Sequence, residues 1–406
     1  MPRVIISGAG IAGAVLAYWL GKNGFQVIVV ERSLPDNQSG QIVDVEGPAR
    51  EIVKRMGVLE EIQSKVTHEA GIRFVDDSSR EFARFPAGET EASSEIEIMR
   101  PALTGALLGA ADGLSNVEFR YGRTIKSLQQ TESKVIVDIR EKMKDTISKE
   151  EFDVLIACDG MRSSTRDMIL PASMRKSCVK SVNAFAAFFS IPAEPQDRPF
   201  CNIHVAQGRR TALTKPWTEK ETSAYLTYCK FDQKLHDMRE ARNVDLQKRT
   251  MAEIFKDHGW ETDRLIKGMM ETKNFYFEEI SQVMLDKWSQ GRCVLLGDTA
   301  YSPSPFTGEG TNLAILGAYI LASKMVKDME NPTKAFEEYE KDMRPYVNKV
   351  QPIPLGGYAP LLVNPDTSWG IWMQRIILSW ISWLQPWKYF PNAGKRGTTS
   401  YNLPDL

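Results

Sequence analysis

The first thirty residues constrain the chain most. Val4, Ile5, Ile6 and Ser7 form a short apolar run that gives way at once to Gly8, Ala9, Gly10, Ile11, Ala12 and Gly13. A helical pattern continues through Leu20, and a second apolar run, Val27 to Val30, ends in Glu31 followed by Arg32. The order strand, glycines, helix, strand, acid is the arrangement that binds a dinucleotide. Gly8 permits a tight turn, Gly10 lets a pyrophosphate approach the backbone, and Gly13 lets the helix pack close to the sheet. Phosphates then meet the free N–H groups and positive dipole end of the helix, beside Ala12. Glu31 stands where a carboxylate accepts hydrogen bonds from a ribose.

Length and charge narrow the classes. At 406 residues the chain exceeds one ordinary core, so two joined domains are expected. With Lys+Arg 51 against Asp+Glu 52, nothing in the net charge of -1 attracts nucleic acid. Cys158, Cys178, Cys201, Cys229 and Cys293 lie far apart without a CxxC, and four histidines are scattered. That spacing predicts no metal site, dithiol centre or disulfide framework, and suits a reducing, cytoplasmic setting. The glycine motif begins so early that no leader segment is expected before it.

Further along, Asn37 to Gly40 is turn-rich, Gln41 to Glu46 alternates like a strand, and Arg50 to Gly57 has helical spacing. Short strands and polar turns fill His68 to Glu97. Arg100 and Pro101 then open a helix, where Arg100 could meet phosphate or ribose or simply lie at the surface near a cap. Val117 to Arg120 and Lys134 to Ile139 read as a strand pair, and the charged residues Glu141, Lys142, Lys144 and Asp145 as a solvated turn. Phe152 to Ala157 is a buried strand that stops at Cys158, Asp159, Gly160, ahead of Arg162, Ser163, Ser164 and Arg166. From about Val179 to Met284 a mixed sheet with helices is expected. The first style returns at Cys293 to Leu296, followed by Gly297, Asp298 and a proline loop to Phe306. Gly308, Glu309, Gly310, Thr311 and Asn312 lead into a long helix. Backbone N–H groups at that helix start could face an electron-rich ligand, or Thr311 or Asn312 could simply cap it.

After a helix from Thr333 to Val350, Trp369, Trp372, Ile376, Trp380 and Trp383 recur at helical spacing with only Arg375 charged among them. The run is shorter than the roughly 20 residues needed to span a bilayer. A lid or packing helix is the favoured reading, with a partner-binding helix or interfacial membrane contact by residues 366–387 as the alternative.

GAGIAG with Glu31, CDGMRSSTR, and GDTAYSPSPFTGEGTNLA resemble the three fingerprints of the single-component FAD-dependent aromatic hydroxylases, the para-hydroxybenzoate hydroxylase class. They occur in the family's order and span the chain to about Ala322. AYWL, HGWET at His258 to Thr262, NFYFEEI and GAYILA look most like the tetracycline-inactivating flavin monooxygenases and their fungal relatives. The resemblance implies an α/β fold, with a Rossmann-like FAD-binding domain formed by 1–70, 98–178 and 285–330. An inserted mixed-sheet substrate domain would comprise 71–97 and 179–284, and C-terminal helices 331–406, with the lid among them.

It implies that Gly8, Gly10, Ala12, Gly13, Glu31, Arg32 and Arg100 hold the ADP half of FAD. Asp159, Gly160 and Arg166 would serve FAD and the nicotinamide donor. Gly297 and Asp298 would serve the ribityl side, and Pro305, Gly308, Gly310, Thr311 and Asn312 the isoalloxazine. Three departures stand out: Tyr301 where many members have His, Ser304 for one proline of a pair, and Gly317 for a common Asp. The implied chemistry is monooxygenation with NAD(P)H and O2 through a flavin C4a-hydroperoxide, so no catalytic side chain is demanded. Candidate substrate contacts are Phe188, His204, Arg209, Arg210, Tyr225 and Phe306, with Trp369 and Trp372 closing the pocket. The expected substrate is an aromatic or polycyclic secondary metabolite or tetracycline-like drug, and the chain a monomer or dimer. An FAD oxidase or oxidative cyclase, or a flavoprotein that sequesters an aromatic ligand, are the alternatives.

Overall fold

The computed structural model describes residues 1–35, 40–67, 69–88, 96–175, 177–241, 243–328, 330–389 and 401–406. Asn37 to Ser39 of the expected turn, His68 itself and part of the stretch up to Glu97 lie outside them.

Continuous Val/Ile runs build a six-stranded sheet in the order Ser289–Gln290, Cys293–Leu295, Val154–Ala157, Arg3–Ser7, Gln26–Glu31, Val117–Tyr121. All pairs are parallel except the two-residue edge strand. The inner strands carry no polar alternation because both faces are covered. Helix Ile11–Lys22 packs against both Arg100–Asp112 and Gly310–Lys327, and the antiparallel sheet of Arg123–Gln130, Val135–Glu141 and Thr146–Phe152 is separate. Val117–Tyr121 and Val135–Glu141 are therefore not partners, contrary to expectation. Val117–Tyr121 joins Gln26–Glu31 instead, as the half-buried edge strand of the parallel sheet.

Register decides where the motifs emerge. Ser7 is paired with Ala157, and Ala157 with Leu295, so three parallel strands end side by side. With neighbouring strands about 5 Å apart, the loops beginning at Gly8, Cys158 and Leu296 leave the same edge within roughly 10 Å of one another.

The second sheet has seven strands in the order Phe275–Val283, Val179–Pro192, Glu221–Tyr228, Arg210–Pro216, Cys201–Ala206, Gly71–Val75, Glu81–Pro86. One face packs under helices Gln233–Ala241, Val244–Phe255 and Thr262–Glu271, through Phe185, Phe189, Leu226, Met251, Phe255 and Leu265. The other carries Ala184, Ala186, Phe188 and Ile280 against Phe306 of the proline loop.

The tryptophan-rich helix is real, spanning Ser368–Leu384 with Thr367 capping the Gly370 N–H at 3.2 Å. Its place is the free edge of Glu81–Pro86. Ser379 Oγ donates to the Phe82 carbonyl at 2.9 Å, and Ser382 Oγ accepts from Arg84 N–H at 2.9 Å. These hydroxyls stand in for a further strand and close an edge that would otherwise be open to pairing. Of the two readings, lid or packing helix, these contacts are those of a helix packed on a sheet edge.

Candidate functional site

The glycine loop is shaped by close approach. Gly8 has φ +109°, and a Cβ on Gly13 would lie 2.0 Å from the Gly8 carbonyl oxygen, so a side chain at Gly13 is sterically excluded. A Cβ on Gly10 would meet nothing within 4 Å. That open space lies at the start of helix Ile11–Lys22, which has neither a side-chain cap nor an acid in its first turn. The first-turn N–H groups, Ala12 among them, are thus available to phosphate. Glu31 fixes the loop, its carboxylate accepting from Ala9 N–H at 3.0 Å and Ser33 N–H at 2.8 Å. Its remaining lone pairs can still accept from ribose hydroxyls. Arg32 is exposed beside it.

The second motif is held in place by its own hydrogen bonds. Asp159 is turned inward, receiving Ser163 Oγ, Thr165 N–H at 3.2 Å and Thr165 Oγ1 at 3.0 Å. It organises the turn into helix Ser164–Ile169, and burial raises its carboxyl pKa while these donors oppose the rise. Arg166 is buried and donates to the Met161 carbonyl at 2.8 Å and the Thr299 carbonyl at 3.2 Å. Gly160 N–H donates to Thr299 Oγ1 at 3.0 Å. Asp159 and Arg166 therefore act as positioning residues that lace the second motif to the third. Gly160 has open space where a Cβ would be, so a ligand can approach its backbone.

In the third motif Asp298 follows Gly297 directly at the strand end. Burial raises the Asp298 pKa, and the positive charge of Arg100 pulls it back. The Arg100 charge also acts on the Tyr276 hydroxyl, opposing the rise that burial gives it. Helix Gly310–Lys327 likewise starts without a side-chain cap, so neither Thr311 nor Asn312 caps it. Asn312 instead accepts from Glu46 N–H at 3.0 Å. Ser304 sits at φ +80°, a value closed to proline, which explains why the second proline of the pair is missing. Its hydroxyl accepts from Phe306 N–H at 3.2 Å and shapes the turn through Pro305 to Gly308.

The other two departures explain each other. Tyr301 is buried, its hydroxyl 2.8 Å from that of Tyr339. A Cβ on Gly317 would lie 2.0 Å from the Tyr301 hydroxyl. The larger residue at 301 demands the smallest at 317, so one compensated change underlies both.

On the sheet, Phe188 meets Tyr225 edge-on at 4.8 Å and lies 6.0 Å from Tyr276, and it packs with Phe306 of the flavin-side loop. Tyr225 Oη accepts from Ile42 N–H at 3.1 Å, and burial pushes its pKa to about 12. Tyr276 donates to Glu278, which is paired with Arg162 of the second motif. Behind Tyr225 lies a buried ion cluster in which Lys215 Nζ is 2.9 Å from Glu97 and 3.3 Å from Glu69. Desolvation raises Glu69 to about 8, with Lys215 opposing and Glu97 adding to the rise. Tyr276, Glu278, Arg162 and this cluster were not singled out from the sequence; the signal available was strand parity with Phe188 and Tyr225.

Five candidates fall elsewhere. His204 and Arg210 point to the helix-covered face, because each shares the parity of its strand's inner residues. His204 Nδ1 is 3.0 Å from His258 Nε2, and Arg210 donates to the Ile254 carbonyl at 2.8 Å and to Asp257. Arg209 sits in the turn before its strand at φ +61° and reaches the Leu361 and Asn364 carbonyls, each at 3.5 Å. Trp369 and Trp372 are 65% and 58% exposed and belong to none of the buried clusters, since their helix turns that side outward.

A cradle made by three loops at the carboxyl edge of a parallel sheet, facing an aromatic sheet, defines a dinucleotide-binding protein with a second site beside it. The model of the FAD binding domain family matches residues 1–352, and the chain belongs to that family. It is 38% identical over 413 residues to Monooxygenase CTB7 of Cercospora beticola, covering 99% of this chain and 97% of that protein. It is 28% identical to FAD-dependent monooxygenase asL4 of Sarocladium schorii, over 93% and 91% of the two chains. The crystal structure of the tetracycline destructase Tet(51) superposes with a TM-score of 0.81 at 26% identity, covering 100% of both chains. The protein is an enzyme of the FAD-dependent monooxygenase class, for which NAD(P)H is the usual reductant.

Proposed function

We propose that this enzyme hydroxylates or epoxidises an aromatic or polycyclic small molecule, a secondary metabolite or a tetracycline-like drug, with NAD(P)H and O2. The observation that carries the reading is the Phe188, Tyr225 and Tyr276 group standing against Phe306 of the loop that follows Asp298. Flat rings prefer offset or edge-on aromatic neighbours, and such walls exclude water. The likeness to a tetracycline destructase and to fungal monooxygenases supports the substrate class.

When bound, FAD supplies the redox chemistry, taking hydride from NAD(P)H and activating O2. The chain's own residues bind and orient. Gly8, Gly10, Gly13 and the helix start after them would cradle the pyrophosphate, Glu31 and Arg32 the adenosine side, and Arg100 with Asp298 the middle of the cofactor. Gly297, Pro305, Gly308, Gly310, Thr311 and Asn312 would set the ring plane. Tyr276, its proton committed to Glu278 and that carboxylate to Arg162, gives the wall one fixed polar edge. In this reading residues 1–70, 98–178 and 285–330 serve FAD, and 71–97 with 179–284 serve substrate. Five buried, unpaired cysteines support a reducing, cytoplasmic setting for a monomer or dimer.

The test is a screen of aromatic polyketides for stimulated NAD(P)H oxidation under 18O2, with product mass measured. One 18O per product is expected. Oxidised product without label would replace oxygenation by oxidase chemistry, and ligand binding without turnover would leave a sequestering flavoprotein.

A further inference from the structure

Helix Ser368–Leu384 is apolar on its exposed face, while its half-buried side mixes Ile371 and Leu378 with polar residues. Its protein-facing side carries Ser379 and Ser382 on the sheet edge, Gln374 donating to the Val363 carbonyl at 2.8 Å, and Arg375 3.3 Å from Asp77. Its solvent side carries Trp369, Trp372, Ile377, Trp380, Trp383 and Leu384, all exposed and all apolar. The preceding helix Ala359–Val363 adds Leu361, Leu362 and Val363, also exposed. At roughly 200 Å² per tryptophan, the four indoles alone present on the order of 500 Å². Contiguous apolar surface of that size marks a docking face.

The sign of the surrounding charge names the occupant. Between Asp366 and Asp405 the sequence holds Lys388, Lys395 and Arg396 after the helix and no acid, with Arg375 paired to Asp77 on the inner side, although the whole chain has net charge -1. The 17-residue helix is too short to cross a bilayer, and no helix among the described residues is long and apolar enough to do so. Tryptophans along its full length, with basic residues following, suit a helix lying flat at the headgroup level. A second copy seated on the same face would bring like charges together at its ends.

We propose that the outer face of helix Ser368–Leu384 docks this enzyme on the surface of an anionic lipid bilayer. The apolar face sinks into the boundary between headgroups and acyl chains, Lys388 lies at the phosphates, and the enzyme body stays in water. The face is separate from the Phe188 and Phe306 wall, so the inference does not depend on which substrate is oxidised.

The test uses full-length FAD-loaded protein with phosphatidylcholine vesicles, with or without phosphatidylglycerol. Co-flotation with the anionic vesicles is expected, about tenfold or more stronger than with neutral ones, together with a blue shift of tryptophan emission. Trp372→Glu with Trp380→Glu should cut partition about tenfold or more while flavin absorbance and melting temperature stay unchanged, because both side chains are exposed. Lys388→Glu, a separate and milder change, should weaken binding to anionic vesicles only. Wild-type protein that ignores both kinds of vesicle overturns the proposal. So does a wild-type dimer that the double variant splits without any vesicle binding, which would assign the face to a second copy.

Discussion

The cradle and the seven-stranded sheet meet at Phe306, yet they are built by different means. The cradle is backbone: loops leaving Ser7, Ala157 and Leu295 at one level, uncapped helix starts, and glycines whose missing Cβ atoms leave room. The sheet wall is side chain: Phe188, Tyr225 and Tyr276 on one parity, His204 and Arg210 on the other. A site made of backbone tolerates few changes and fails completely. A site made of side chains can be retuned residue by residue, which suits one cofactor and changeable substrates.

That contrast breaks most visibly at Gly13. Gly13→Val, whose Cβ would sit 2.0 Å from the Gly8 carbonyl, should weaken FAD about 100-fold or more, read by fluorescence titration. Retained flavin would refute a backbone-made cradle. Phe188→Ala should keep full flavin but lower substrate-stimulated NAD(P)H oxidation about tenfold, a loss of the size expected from one aromatic contact with its apolar area. Loss of FAD in that variant would blur the division.

The Tyr301 and Gly317 pair tests close packing at the back of the cradle. Gly317→Ala should cost about 1–3 kcal/mol in chemical denaturation, and adding Tyr301→Phe should recover part of it. Strict additivity would contradict the coupling.

On the helix-covered face the effects should be on stability alone. Desolvation, with the His204 and Arg210 charges next, lowers His258 from 6.5 to about 3. A depressed histidine contributes stability that is complete above its unfolded pKa and is lost as pH falls through the folded one. Melting temperature should therefore fall from pH 6.5 toward about 3, and His258→Gln should flatten that fall. The smallest effect belongs to Arg210→Ala. It breaks a pair with Asp257, whose side chain is mostly exposed, together with the bond to the Ile254 carbonyl, and should cost about 1 kcal/mol with turnover unchanged.

Most of the cradle was legible because glycine spacing, strand and helix order and the acid at Glu31 are dictated by backbone geometry. What the sequence hid there was direction: nothing in CDGMRSS tells that the Asp159 carboxylate organises the turn by accepting from Thr165 N–H and Oγ1. On the sheet, alternation separates two faces without saying which one meets the flavin loop. Tyr225 and Arg210 were equal candidates until register and the covering helices divided them. The tryptophan helix was legible as a helix, but its outward apolar face reverses the rule by which apolar periodicity marks the buried side.

The most direct test of the central claim is to titrate the purified wild-type protein with FAD beside Gly13→Val, following flavin absorbance and fluorescence. Predicted are one FAD per wild-type chain, bound with micromolar or tighter affinity, and no saturable binding by the variant. A folded wild-type protein that takes up no FAD, or a variant that binds it equally well, would contradict a cradle made of backbone.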